Sequence, residues 1–265
     1  TKVYGTTDPE LTYTVSPALI TGDAFTGALD RAAGETVDAY AIGQGDLSAG
    51  PSYAITYTGA NLTITAKPVT ATIVATTRDY DGTTDATIAS CTLSGVETAD
   101  AANVTCGATS VAFRSAAAGT DKLLDVTGLA LAGSAAGNYS VTLADATGTI
   151  TPLAIAVTAN AQTKVYGTTD PELTYTVSPA LITGDAFTGA LDRAAGETVD
   201  AYAIGQGDLS AGPSYAITYT GANLTITAKA LTITGATAAD RTYNGLATAS
   251  VDVTGAALSG VVDGD

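Results

Sequence analysis

The sequence predicts an all-β protein, built as an elongated tandem array of small β-sandwich-like modules. The first observation is alternation: "LTYTV" places Leu11, Tyr13 and Val15 on one face, and "NLTITA" places Leu62 and Ile64 on one face. A period of two with threonine between apolar residues is typical of a half-buried strand. Glycine and aspartate interrupt these segments at short intervals, as turns require, and sustained helical periodicity is absent. The third observation is internal repetition.

The repeat has two levels. Residues 1–67 and 163–229 are identical at every position. A weaker similarity relates "GPSYAITYTGANLTITAK" (50–67) to "AGNYSVTLADATGTITP" (136–152), in which a glycine turn leads to a tyrosine on a strand and then to a Thr/Ile strand. An internal repeat of this kind sets the architecture, because each unit folds as a similar module.

We therefore divide the chain into four modules: residues 1–67, 68–151, 152–229 and 230–265. The third is a copy of the first, and the fourth begins like the second, since "RTYNGLATAS" matches "RDYDGTTDAT". The segment "LAIAVTANAQ" (153–162) is predicted to be the opening strand of the third module, and the first copy has no counterpart to it. We expect the sequence to be a window on a longer array; strands donated by neighbouring chains are the alternative.

Composition excludes several classes of function. Asp plus Glu exceed Lys plus Arg by 26 to 10, and the net charge of −16 argues against nucleic acid and anionic membranes as partners. The chain has no histidine, so Ser–His–Asp catalysis and histidine-ligated zinc are both excluded. No apolar run approaches the roughly 20 residues of a membrane helix. We expect a protein that is not an enzyme and carries no cofactor.

Cys91 and Cys106 are the only cysteines. Both lie in strand-like segments joined by a polar link, which favours a disulfide between neighbouring strands and an oxidising compartment. Two free buried thiols are the alternative.

Three carboxylates lie in "DYDGTTD", at Asp79, Asp81 and Asp85. Alternating acids beside a glycine resemble a calcium-binding loop. The matching segment in the fourth module, "TYNGLAT", keeps no carboxylate but keeps an Asn-Gly pair, which indicates a tight turn. The turn is the favoured interpretation, with calcium as the alternative.

Two parts of the chain resemble known domain families. "KVYGTTDPELTYTV" and the sequence that follows it resemble the MBG domain of bacterial surface proteins. "RDYDGTTDAT", with the later "LALAGSAAGNYSVTL", resembles the YDG domain that often accompanies it. Such domains occur in tandem in large secreted adhesins, including filamentous-haemagglutinin-like proteins. The resemblance implies an extracellular, non-enzymatic, stalk-like role at the bacterial surface and supplies no catalytic residues.

Some adhesin domains join their first and last strands by a Lys–Asn isopeptide bond. Lys164 follows the first strand of its module and Asn223 precedes the last, so this pair is a candidate. The alternative is that Lys164 lies on an edge strand, where a lysine prevents pairing with the strands of other chains.

Two functions follow as hypotheses. The first is a structural stalk or fibre repeat that projects or links cells, whose partners are further copies of its own array or laterally associated chains. The second is an adhesive module for surface glycans or mucin, in which some of the 13 tyrosines would line the binding face. Alternating tyrosines more often pack in the core.

Overall fold

The computed structural model describes residues 1–265 and contains 23 strands and two short 3₁₀ helices. The prediction of an all-β, multi-module fold is confirmed. The chain divides into two compact units, Thr1–Thr151 and Pro152–Asp265. No helix in the structure has the length and apolar character needed to cross a membrane.

The first module forms one sheet in the order β1-β4-β3-β2. Its strands are β1 Lys2–Val3, β2 Asp30–Arg31, β3 Ala39–Gly43 and β4 Ala60–Thr65. β1 is parallel to β4, with Lys2 opposite Ile64, and the other pairs are antiparallel. The buried face of β4 carries Leu62 and Ile64, as its alternation predicts.

The second module is built around β5, which lies between β7 (antiparallel) and β12 (parallel). On its other side β12 pairs with β10, and β10 pairs with β9. The short strand β6 also pairs with β12. β8 and β11 form a separate two-stranded sheet. The strands are β5 Lys67–Ala75, β6 Arg78–Asp79, β7 Ile88–Ser94, β8 Thr105–Gly107, β9 Ser110–Phe113, β10 Gly119–Thr127, β11 Ala130–Ala132 and β12 Tyr139–Thr151; the 3₁₀ helices are Thr98–Asp100 and Ala136–Asn138.

The third module forms two sheets, in the orders β15-β13-β18 and β14-β19-β17-β16. The second of these sheets has the same strand order as the sheet of the first module, β1-β4-β3-β2. The strands are β13 Leu153–Ala159, β14 Gln162–Val165, β15 Tyr175–Ser178, β16 Asp192–Arg193, β17 Ala201–Gly205, β18 Tyr215–Thr220 and β19 Ala222–Thr227. The fourth module contains β20 Thr232–Thr234, β21 Thr237–Ala238, β22 Val251–Asp252 and β23 Ala257–Ser259, with β20 paired to β23 and β21 to β22.

The second and third modules share one plan. In both, the opening strand is central: it is antiparallel to one neighbour and parallel to a strand late in the module, β12 in the second module and β18 in the third. Along β5, Val69, Ala71, Ile73 and Ala75 are all buried while the residues between them are more exposed. Because a parallel pair needs a crossover between its strands, the first and last segments of each module are brought together only by the complete fold.

One prediction fails in the first module. "LTYTV" and "YAITYT" were expected to form strands in both copies, yet residues 11–15 and 53–58 form none, whereas in the third module their identical counterparts supply β15 and β18. The physical reason is the pairing partner. β15 and β18 each pair with β13, whereas no strand in the structure pairs with residues 11–15 or 53–58.

Candidate functional site

The predicted disulfide site lies in the second module. Cys91 in β7 and Cys106 in β8 are joined by a disulfide, with their Cα atoms 5.7 Å apart. The bond attaches the small β8–β11 sheet to the edge strand of the larger sheet. The structure therefore contains no free thiol.

The three aspartates proposed for calcium have separate roles. Asp79 accepts a hydrogen bond from Thr151 Oγ1 at 2.5 Å. Asp81 Oδ1 accepts bonds from the backbone amide and the hydroxyl of Thr83, both at 2.8 Å, which closes the turn and lowers the pKa of Asp81. Asp85 contributes its backbone carbonyl, which accepts a bond from Arg78 Nε at 2.9 Å.

The fourth module shows that this turn does not need a carboxylate. Asn244 Oδ1 accepts a hydrogen bond from the backbone amide of Leu246 at 3.1 Å, as Asp81 does from Thr83. Arg241 contacts Asn244, just as Arg78 pairs with Asp81. No group of three His, Cys, Asp or Glu side chains is placed to hold a metal. The geometry supports the turn interpretation.

The structure does not bring Lys164 and Asn223 together, which corrects the isopeptide hypothesis. Lys164 lies opposite Ile226 in the parallel pair β14–β19, so its side chain shares the buried face of Ile226. Asn223 is three residues before Ile226 and is exposed on the opposite face, because side chains alternate along a strand. The Lys164 ammonium is also already engaged by two carboxylates.

Those carboxylates belong to an ionic cluster, which we define as Lys164, Asp170, Arg193 and Glu197. Lys164 Nζ lies 2.6 Å from Asp170 and 2.5 Å from Glu197. Arg193 Nε lies 2.6 Å from Asp170, and its Nη2 contacts Glu197. Hydrogen bonds from Arg193 and then from Lys164 lower the pKa of Asp170 from 3.8 to about 2, and the bonds to Asp170 and Glu197 raise the pKa of Lys164.

The first module contains the same ionic cluster, formed by Lys2, Asp8, Arg31 and Glu35. Nothing in the local sequence around Asp8 or Asp170 indicates these ion pairs. Because every residue of 1–67 recurs in 163–229, the recurrence of these four does not single them out. The cluster ties the turn after the Lys-Val strand to the loop after the Asp-Arg strand, so it is a structural site.

A second missed site joins the first and second modules; we call it the tyrosine junction, formed by Tyr4, Asp100 and Tyr139. Both hydroxyls donate to Asp100 Oδ2, Tyr4 at 2.7 Å and Tyr139 at 2.6 Å. The two rings pack edge to face with centroids 5.4 Å apart. The bonds from Tyr139 and Tyr4 lower the pKa of Asp100, while burial and then the Asp100 bond raise the pKa of Tyr139 to about 12.

Further contacts surround the junction. Lys67 pairs with Glu97, and the backbone amide of Val37 donates to Asn138 Oδ1 at 3.0 Å. Asn138 is buried, so this bond satisfies a polar group that would be costly to leave unpaired. These contacts connect Tyr4, Val37 and Lys67 to two segments of the second module, residues 97–100 and 138–139.

The Tyr–Asp hydrogen bond of the junction recurs between the third and fourth modules. Tyr166, the counterpart of Tyr4, donates to Asp265 Oδ1 at 2.8 Å. "LSGVETAD" (93–100) aligns with "LSGVVDGD" (258–265), so Asp265 is the counterpart of Asp100. Each module of the first type therefore places the same tyrosine on the same aspartate of the module that follows it.

Two protein-family models match the chain. A family model for the MBG domain (YGX type) matches residues 1–63 and 155–225, and a model for the YDG domain matches residues 65–148. Neither the curated proteins nor the solved structures include a significant match to the chain.

Proposed function

Because the chain belongs to the MBG domain (YGX type) family and carries a YDG domain, we propose that it is a structural repeat of a bacterial extracellular adhesin or matrix filament. In this role the modules project a more distant part of the protein or link cells, and they catalyse no reaction. The partners are further copies of the array and laterally associated chains. The observation that carries the proposal is the recurrence of the Tyr–Asp hydrogen bond of the tyrosine junction.

The junction suits a spacer because it fixes orientation between successive modules. Two tyrosine rings in edge-to-face contact, with both hydroxyls on one carboxylate, leave little freedom for rotation. A repeat that contacts mainly its neighbours gains length and stability in proportion to its number of copies. The same Tyr–Asp hydrogen bond at both MBG–YDG steps suits such an array.

Two further features support an extracellular location. The disulfide is of the kind that persists in oxidising compartments. The net charge of −16 favours solubility, which a repeat exposed to water requires. The proposed surface localisation is testable on the native cell with an antibody raised against residues 1–265.

Electron microscopy of the full chain tests the spacer. We expect particles of one narrow length distribution, which broadens when Tyr4→Phe and Tyr166→Phe are combined. Tyr243→Phe, at an exposed position, is the matched control and should change nothing. A wild-type distribution as broad as that of the double variant would contradict the proposal. Saturable binding of the wild-type chain on a glycan array would favour the adhesive alternative instead.

A further inference from the structure

The disulfide of the second module closes a loop that carries a contact to the first module. The bond between Cys91 and Cys106 encloses residues 92–105. Asp100 lies in this loop and accepts a hydrogen bond from the hydroxyl of Tyr4 at 2.7 Å. The disulfide therefore closes the base of the segment to which the first module is attached.

Glu97 adds a second set of contacts from the same loop. Its carboxylate pairs with Lys67, which lies at the boundary between the two modules, and its backbone amide donates to the Tyr139 hydroxyl at 3.1 Å. A Cβ atom on Gly5 would lie 2.5 Å from Glu97 Oε1, so the turn of the first module lies directly against this side chain. Two acidic residues of one loop thus contact the first module.

The loop also holds the segment that contains Asn138. The backbone carbonyl of Asn103 accepts a hydrogen bond from the Ala135 amide at 3.2 Å. Ala135 immediately precedes the short helix Ala136–Asn138, and the buried side chain of Asn138 accepts a bond from the Val37 amide of the first module at 3.0 Å. A change in the shape of the loop would therefore reach this contact as well.

The disulfide is accessible, and the main core of the second module does not depend on its loop. Both cysteines are partly exposed, and Cys106 lines a surface pocket of about 310 Å³, so a small thiol can reach the bond. The residues of the main buried cluster lie on β5, β9, β10 and β12, outside the loop: Ile73, Ala75, Phe113, Leu124, Ala146 and Ile150. Reduction would therefore leave this core packed.

The fourth module shows that the tyrosine contact can form without a disulfide. Its segment "VDVTGAA" (251–257) stands in the place of "IASCT" (88–92) and contains no cysteine. The hydrogen bond from Tyr166 to Asp265 nevertheless forms. The disulfide of the second module is therefore not needed to create such a contact, and it can instead determine how firmly the contact is held.

We propose that the Cys91–Cys106 disulfide is a redox switch for the joint between the first and second modules. A small dithiol reduces the bond by two successive exchanges: the cysteines gain two electrons and two protons, and the dithiol becomes its cyclic disulfide. Reduction loosens the joint, because the constraint of a closed loop of about 15 residues is lost. This inference rests on the tyrosine junction that carries the proposed spacer, and it adds control of that junction by redox conditions.

Hydrogen exchange at single amides of the full chain, measured by NMR with and without dithiothreitol, tests the switch. We expect the Val37 amide to exchange at least about 10-fold faster in the reduced chain, because its acceptor is held through the loop. Val199, the counterpart of Val37 in the third module, is 55% exposed and is the control, whose exchange should not change. Unchanged chemical shifts of Ile73 and Phe113 show that the core stays folded, and reoxidation should restore the slow exchange of Val37.

The outcomes separate the switch from the spacer. Equal protection of Val37 in both redox states overturns the switch and leaves the spacer standing, whereas free exchange of Val37 in the oxidised chain contradicts both. Loss of the native shifts of Ile73 on reduction would make the disulfide a support of the whole module and would also overturn the switch. The variant Cys91→Ser/Cys106→Ser should exchange Val37 as fast as the reduced chain and should not respond to dithiothreitol; a response would show that the reductant acts elsewhere and refute the assignment.

Discussion

Truncation of Ile155 to alanine should destabilise the third module strongly. The side chain is 2% exposed in the central strand β13 and lies opposite Ile217 of β18. Removing a fully packed isoleucine side chain costs about 2–5 kcal/mol, since the apolar contact is lost and a cavity remains. A module of this size is stabilised by about 4–12 kcal/mol, so the loss is a large fraction of the total.

Urea unfolding of the full chain, followed by circular dichroism, measures the effect. With a urea m-value of about 1–3 kcal/mol/M, a loss of about 3 kcal/mol lowers the midpoint of the affected transition by roughly 1–3 M. Ile233→Ala makes the same chemical change at a side chain that is 69% exposed and should cost less than about 0.5 kcal/mol. If the two variants unfold alike, β13 is not the central strand of a packed sandwich.

Three other predictions concern the disulfide, the ionic cluster and the junction. The double variant Cys91→Ser/Cys106→Ser should lose about 3 kcal/mol of stability, as expected for a closed loop of about 15 residues, and added reductant should then have no further effect on its melting. The pKa of Asp170 falls from 3.8 to about 2 on folding, so its ion pairs stabilise the folded state above pH 4 and this stabilisation is lost as the pH falls toward 2. Asp170→Asn should flatten this part of the pH–stability profile, and an unchanged profile would contradict the ion pairs. Gly167→Ala and Gly212→Ala both place alanine at a φ near +80°, but only the first would overlap the following module, so only Gly167→Ala should increase hydrogen exchange at residues 258–265.

Local patterns predicted individual strands well where a partner strand was present. The alternation of Val69, Ala71 and Ile73 with threonine and alanine gives β5 its buried face. The same kind of pattern in "YAITYT" produced a strand at 215–220 and none at 53–58. Strand propensity means that a segment can fit a pleated, half-buried surface, but the surface itself is formed by the neighbouring strands.

The candidate sites were harder to predict. The disulfide could be predicted from the sequence. The chain has only two cysteines, so each has one possible partner, and both lie in strand-like segments. The ionic cluster and the tyrosine junction connect residues that are 33 and 96 positions apart, such as Lys2 with Glu35 and Tyr4 with Asp100. Nothing in the local sequence around Tyr4 indicates an aspartate at that distance.

The sequence by itself determined the all-β class, the division into repeated modules and the acidic, histidine-free chemistry, because these depend on composition and short-range pattern. The tertiary structure alone decided which strand is central, where the buried lysines find their carboxylates, and how each tyrosine docks on the next module. These are long-range contacts, and their partners are selected by the packing of whole sheets. Two identical segments of 67 residues show this most directly, since strands corresponding to 175–178 and 215–220 form only in the copy that pairs with β13.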